Sequence, residues 1–292
     1  MADKPEIDDV TGVDTTGHEW DGIKELNNPL PKWWLWTWYV CILWAIGYWI
    51  VYPAWPTMTG YTKGIWGYSQ RQVVADNLAE AKAAQSKFLT AIKKSSLEDI
   101  QKDPELLRFA LAGGKASFKD NCAPCHGRGA EGSTGYPNLN DDDWLWGGTP
   151  SAIYETIRFG IRSSHDDTRL SDMPKFGADE ILDKAQIDDV ANYVLSLSST
   201  AGAPGDEASS KRGAVVFEEN CASCHGDDGA GMAPLGAPNL KDALWLYGAD
   251  KSAIIESISS GRGAMMPHWA GRLDDTIIKE LTLYVHSLGG GQ

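Results

Sequence analysis

Five cysteines are too few, and too committed, to build a disulfide framework in a chain of 292 residues. Four fall in two C-x-x-C-H runs, Cys122-Ala123-Pro124-Cys125-His126 and Cys221-Ala222-Ser223-Cys224-His225. The fifth, Cys41, stands alone in an apolar stretch, so no pair remains for a structural disulfide. Positive charge is also scarce: 26 Lys and Arg face 40 Asp and Glu, a formal net charge of -14. That balance argues against nucleic acid as a partner and fits either a basic partner or plain solubility. The first residues carry no basic region followed by a small-residue cleavage site, so they do not read as a cleaved secretory signal.

Charge of either sign disappears altogether from Trp33 to Tyr52. At about 1.5 Å per helical residue this run spans roughly 30 Å, the thickness of a bilayer's hydrocarbon core. Trp33, Trp34, Trp36 and Trp38 crowd one end, and Tyr48, Trp49, Tyr52 and Trp55 the other, as amphipathic rings do at the two membrane interfaces. We read residues 33–56 as an uncleaved transmembrane anchor, with Cys41 serving helix packing. Residues 1–32 are polar and acidic and are expected to be extended or disordered without a partner. Lys24 and Lys32 before the anchor are matched by Lys63 and Arg71 after it, so counting basic residues does not orient it. Beyond the anchor, residues 57–107 read as a helical connector. Ser96 with Asp99 resembles a capping box, and Asp103-Pro104 is an N-cap followed by proline at the first helical position.

The rest of the chain repeats itself. Phe118 and Phe217 each precede a first motif cysteine by four residues, and Pro137-Asn138-Leu139 answers Pro238-Asn239-Leu240. Trp144 answers Trp245, Gly160 with Arg162 answers Gly261 with Arg262, Met173-Pro174 answers Met266-Pro267, and Tyr193-Val194 answers Tyr284-Val285. The copies occupy 108–198 and 211–292, with a Ser-, Gly-, Ala- and Pro-rich linker over 199–210. Each copy shows a middle helix (Ser151–Phe159; Lys251–Ser259) and a closing helix (Gln186–Leu197; Asp275–Leu288), with no competing strand signal. The fold class expected is all-α, with two tandem domains.

A C-x-x-C pair alone can be a zinc or redox motif, but the adjacent histidine, repeated in matching sequence, points to covalent haem c. On that reading Cys122, Cys125, Cys221 and Cys224 form thioethers to two haems, and His126 and His225 bind the irons. Met173 and Met266, at matching positions, are the expected sixth ligands, each serving the haem of its own copy. His165, His268 and Met265, which have no counterpart in the other copy, are the rivals. Two six-coordinate irons leave no open position for a substrate, so the chain is expected to carry electrons and to make no bonds. Arg162 and Arg262 are candidate partners of the haem propionates, against the alternative of solvated helix-end arginines. Trp144 and Trp245 are expected to line the haem pockets. Thioether formation takes place outside the cytoplasmic membrane, so the part after Tyr52 is expected in the periplasm and the amino terminus in the cytoplasm.

Each copy resembles a class I cytochrome c domain, and the whole resembles the membrane-anchored dihaem subunit of a cbb3-type cytochrome c oxidase. The resemblance rests on Asn121 to Gly127, on the acidic run Asp141-Asp142-Asp143-Trp144-Leu145-Trp146-Gly147-Gly148, and on the order of anchor, connector and two domains. Some relatives carry a second membrane helix; one is visible here. The resemblance implies that the backbone carbonyls of Pro137 and Pro238 orient the ligating histidines. It implies partners as well: a monohaem cytochrome c subunit, a catalytic subunit with haem b and copper, and a periplasmic cytochrome c donor, in the inner membrane of a bacterium. The expected role is electron delivery to an oxygen-reducing core. The rivals are an independent membrane-tethered electron shuttle and a dihaem peroxidase with one open iron.

Overall fold

A computed structural model of the chain describes residues 6–198 and 206–289. It forms two compact units, residues 1–84 and residues 85–292.

In the first unit, β1 (Thr15–Trp20) and β2 (Ile23–Leu26) form an antiparallel hairpin in a segment expected to lack structure. The two residues between them, Asp21 and Gly22, both have positive φ, 50° and 82°, which is the type I′ geometry that matches the twist of paired strands. Helix α1 (Lys32–Val51) follows, and none of its side chains is buried within the chain. It is long and apolar enough to cross a membrane. The short hairpin of β3 (Pro56–Thr57) and β4 (Gly60–Tyr61) turns the chain back. Its return lets Ile65 N–H and Trp66 N–H donate to the Ile50 and Val51 carbonyls at 3.0 and 3.2 Å, satisfying acceptors that a helix end leaves open. Tyr52 gathers Tyr48, Trp66 and Tyr68 around that end.

Helix α2 (Gln70–Lys94) leads to α3 (Leu97–Lys102) and α4 (Pro104–Asn121). Ser96 Oγ accepts from Asp99 N–H, and the Asp103 carboxylate accepts from Glu105 and Leu106 N–H, so both helices start where their caps stand. Short α5 (Ala123–His126), α6 (Pro150–Phe159) and α7 (Lys184–Leu197) complete the first copy. The second copy holds α8 (Glu207–Asn220), α9 (Ala222–His225), α10 (Lys251–Ser260) and α11 (Asp275–His286). Residues 199–205 of the expected linker lie outside the described residues; from Glu207 the chain is already helical, capped by Asp206.

The copies do not pack as two beads. The entry helix of the first copy, α4, crosses the closing helix of the second, α11, and α8 crosses α7 in the same way. Gly114 lets α4 approach so closely that a Cβ there would stand 2.2 Å from the Glu280 carbonyl oxygen; at Gly213 the corresponding atom is the Asp189 oxygen, at 2.0 Å. Phe118 packs on Tyr284 and Phe217 on Tyr193, with ring centroids 5.4 and 5.2 Å apart. The chains cross over after the middle helices. Gly160 and Gly261 take positive φ there, and a side chain at either would strike the backbone of the other copy's methionine loop. Ile161 and Met266 exchange both backbone hydrogen bonds, at 3.0 and 2.9 Å. Among the described residues this gives two cores that each draw on both copies, beside a third in which Ile92, α3 and α4 meet Leu283 of α11.

Candidate functional site: two histidine and methionine pockets

Each C-x-x-C-H run begins where an entry helix ends. The Cys122 N–H still bonds the Phe118 carbonyl, and the Cys221 N–H the Phe217 carbonyl, both at 2.8 Å, so each first cysteine inherits the register of a buried phenylalanine. The next residues form one helical turn, α5 or α9, that brings the histidine round. His126 Nδ1 lies 3.1 Å from the Pro137 carbonyl oxygen, and His225 Nδ1 lies 3.1 Å from that of Pro238. A carbonyl can only accept, so Nδ1 carries the proton in both rings and Nε2 keeps its lone pair. Burial holds both imidazoles below their usual pKa and therefore neutral.

The first thiol of each motif is kept protonated by its surroundings. Burial, with the neighbouring cysteine adding to it, pushes Cys122 up to about 12 and Cys221 up to about 11. A buried first cysteine held as the thiol is not the activated nucleophile of a redox C-x-x-C pair.

Around the first motif, Phe118, Ala130, Ile153 and Ile157 of the first copy join Ile278, Leu281 and Val285 of the second. Cys122, Trp144 and Met266 pack against this cluster. Around the second motif, Val216, Phe217, Ile254 and Ile258 join Phe176, Ile187, Val190 and Val194 of the first copy, with Cys221, Trp245 and Met173 against them. The methionines are therefore exchanged. Met266 shares a core with Cys122, and Met173 shares one with Cys221, whereas the repeat alone suggested that each stayed with its own copy. The physical reason is the crossover at Gly160 and Gly261, which hands each methionine loop to the opposite pocket. Of the rivals, Met265 is exposed, while His165 and His268 pack against each other with centroids 5.4 Å apart. His165 Nδ1 also accepts the Asp167 N–H at 3.0 Å.

The arginines depart from the expected correspondence. Arg262 Nε donates to Ser257 Oγ at 3.0 Å, its Nη2 donates to the Ala253 carbonyl, and its guanidinium lies over Tyr247. The residue that makes the matching set in the first copy is Arg169, with Thr156 Oγ1 at 2.8 Å, the Ala152 carbonyl at 3.1 Å and Trp146 beneath it. Arg162 does something else. Its Nε donates to the Ala264 carbonyl at 2.8 Å and its Nη1 to the Ser171 carbonyl at 2.6 Å, which ties the two methionine loops together. Sequence alignment of the copies missed Arg169 because the first copy's loop is longer, and spacing from Gly160 is the wrong ruler across it.

Both pockets fit a haem c: paired cysteines at a helix end, a neutral histidine with a bare Nε2, and a methionine entering the same core. Trp245 Nε1 adds a buried donor with no partner among the described residues, open to an acceptor such as a propionate.

Three families match the chain in order. The N-terminal domain of cytochrome oxidase-cbb3, FixP, matches residues 12–59; cytochrome c matches 111–198; cytochrome c oxidase, cbb3-type, subunit III, matches 208–285. The cbb3-type cytochrome c oxidase subunit FixP of Bradyrhizobium sp. (strain ORS 278) is 55% identical over 292 residues, covering 100% of both chains. The chain belongs to the FixP/CcoP family of cbb3-type cytochrome c oxidase subunits. The CcoP subunit of Azospirillum sp. (strain B510) is 55% identical over 98% of each chain, and the FixP subunit of Azorhizobium caulinodans 53% identical over 98% of this chain and 96% of its own. FixP/CcoP membership makes this an electron-transfer subunit with haem c domains and an apolar N-terminal helix.

Proposed function

We propose that the chain holds two covalent haems c and relays electrons from a periplasmic donor to the oxygen-reducing core of a cbb3-type oxidase. In this reading Cys122 and Cys125 hold one haem and Cys221 and Cys224 the other. His126 with Met266 ligates the first iron and His225 with Met173 the second. The haem, when bound, supplies one-electron chemistry, and the chain supplies everything that tunes it. Pro137 and Pro238 fix the tautomer and plane of the histidines. With a haem bound, a thioether ligand from Met266 or Met173 would favour the reduced form. Arg162 steadies both methionine loops at once, and Trp245 with Arg262 and Arg169 are the donors we assign to the propionate side.

The observation that carries this reading is the sharing of one core by Cys122 and Met266, and of the other by Cys221 and Met173. The partners we assign are a monohaem cytochrome c subunit and a haem b and copper catalytic subunit, with α1 as the membrane anchor in a bacterial inner membrane and the haem domains in the periplasm. A basic cytochrome c fits as donor, because Asp141, Asp142, Asp143 and Asp242 border one acidic cleft. The test is purification from membranes in mild detergent. Co-purification with polypeptides carrying haem b and copper, and two haems c on this chain, is the expected result. Recovery of this chain alone would favour an independent shuttle.

A further inference from the structure

The two helix crossings are built alike but charged differently. At α7–α8, Asp189 lies opposite Gly213 and its carboxylate is fully engaged. Arg212 donates through Nε and Nη2 at 2.7 Å each, and Ser209 Oγ donates at 2.6 Å. Asn192 Nδ2 in turn donates to Ser209 Oγ at 2.6 Å. At α4–α11, Glu280 lies opposite Gly114 in the same relation. Counted from that glycine, Arg212 corresponds to Gly113 and Ser209 to Ala110; counted from the tyrosine, Asn192 corresponds to Leu283. Every polar partner is gone.

Glu280 is only 4% exposed, and among the described residues its buried Oε1 has no hydrogen-bond partner. Its carboxyl fills the space that a side chain at Gly113 would take, 2.4 Å from the Cβ position there. The surrounding charges are engaged elsewhere. Lys279 Nζ donates to the carbonyls of Ile92, Lys93 and Ser95. On α6, Tyr154 bonds Asp275, and Arg158 bonds the Tyr154 hydroxyl. On α4, Glu105, Arg108, Lys115, Lys119 and Asp120 are exposed to solvent. From α3, the apolar Leu97 and Ile100 share a core with Leu283 of α11. Asp274, the N-cap of α11, acts on Glu280 only by repulsion, and its own pKa is lowered by hydrogen bonds from the Thr276 backbone and side chain and, least, by Lys93.

We propose that Glu280 is a redox-linked proton site of the first pocket, binding a proton from solvent when an electron arrives there and releasing it when the electron leaves. The proposal rests on haem attachment at Cys122 and Cys125. From Gly114, α4 runs directly into Cys122, about 12 Å further along the helix axis at about 1.5 Å per residue. Phe118 and Tyr284 pack between, so the path is apolar and poorly screened. An added negative charge there disfavours a second negative charge on Glu280. One electron from the donor and one proton from solvent enter together: ferric iron becomes ferrous, the carboxylate becomes a carboxylic acid, and no carbon bond changes. Burial, helped by Asp274, pushes Glu280 up to about 7, where such an exchange takes place near neutrality. Asp189 cannot act this way, because Arg212 compensates its charge.

The test is potentiometric titration of the full-length haem-loaded chain in detergent at several pH values across neutrality. Haem content, measured separately, reports on attachment itself, so a failure there is distinguishable from a failure of the proton site. In the native chain, one of the two reduction equilibria is expected to weaken with rising pH, by up to about tenfold per pH unit. Glu280→Gln is expected to abolish that dependence with both haems retained. Gly113→Arg, which transplants the partner that Asp189 enjoys, is expected to abolish it too, and it serves as the test if Glu280→Gln does not fold. The infrared difference between oxidised and reduced forms is expected to show a protonated carboxyl gained on reduction in the native chain only. A pH-independent native chain, or a dependence that survives both substitutions, would overturn the proposal.

Discussion

At the scale of single residues, what a carboxylate does is decided by its neighbours. Asp189, held by Arg212 and Ser209, has its pKa lowered, so its contribution to stability is present above the usual carboxylate range and lost as pH falls through its own value. Glu280 runs the other way. Between its usual 4.5 and about 7 the unfolded chain is ionised while the folded chain keeps the proton, so stability falls as pH rises through that window. Thermal melts of the native chain from about pH 5 to pH 7.5 should show a decline, on the order of 3 kcal/mol at most, and Glu280→Gln should flatten it. Arg162 offers a second test. Arg162→Gln removes the bonds to the Ala264 and Ser171 carbonyls through which it joins the methionine loops, and is expected to cost about 1–3 kcal/mol. Heating the variant should abolish the methionine-to-iron charge-transfer band before helicity is lost; simultaneous loss of both would argue against a loop-specific role.

At the scale of elements, helix crossings and caps explain most of the fold. Gly114→Ala places a Cβ against the Glu280 carbonyl oxygen with no flexible atom to yield, so a loss of at least about 1–3 kcal/mol is expected in chemical denaturation. An unchanged midpoint would mean the helices are less tightly crossed. Much at this scale was legible in the sequence. Asp103-Pro104 announced α4, Ser96 announced α3, and the charge-free run announced α1, because each signal is local and its mechanism is local. The β1–β2 hairpin runs against its composition: the acidic, polar segment argues for an unfolded chain, while Asp21-Gly22, with φ of 50° and 82°, supplies the local type I′ turn that pairs the strands. Arg169 is obscured in another way. Its match to Arg262 is one of position against a helix, and a loop of different length hides that from alignment.

At the scale of the whole molecule, the repeat identified what the pockets contain but not which halves build them. The pattern of apolar faces on α4, α7, α8 and α11 is the same whether entry and closing helices pair within a copy or between copies. Only the route of the chain after Gly160 and Gly261 decides, and that is a property of the path, not of any residue pattern. The consequence is interdependence. A chain ending at residue 198 would lack both α8, the partner of α7, and α11, the partner of α4, along with Met266. It is expected to attach haem at Cys122 and Cys125 yet to show no methionine charge-transfer band, and a band of normal strength would mean that the first copy is self-sufficient.

The most direct test of the exchanged arrangement is the density of the haem-loaded, full-length chain at a resolution that separates ligand sulfur from ring atoms. The sulfur of Met266 should lie on the iron whose haem is bonded to Cys122 and Cys125, and that of Met173 on the iron bonded through Cys221 and Cys224. Met173 on the first iron and Met266 on the second would contradict the account.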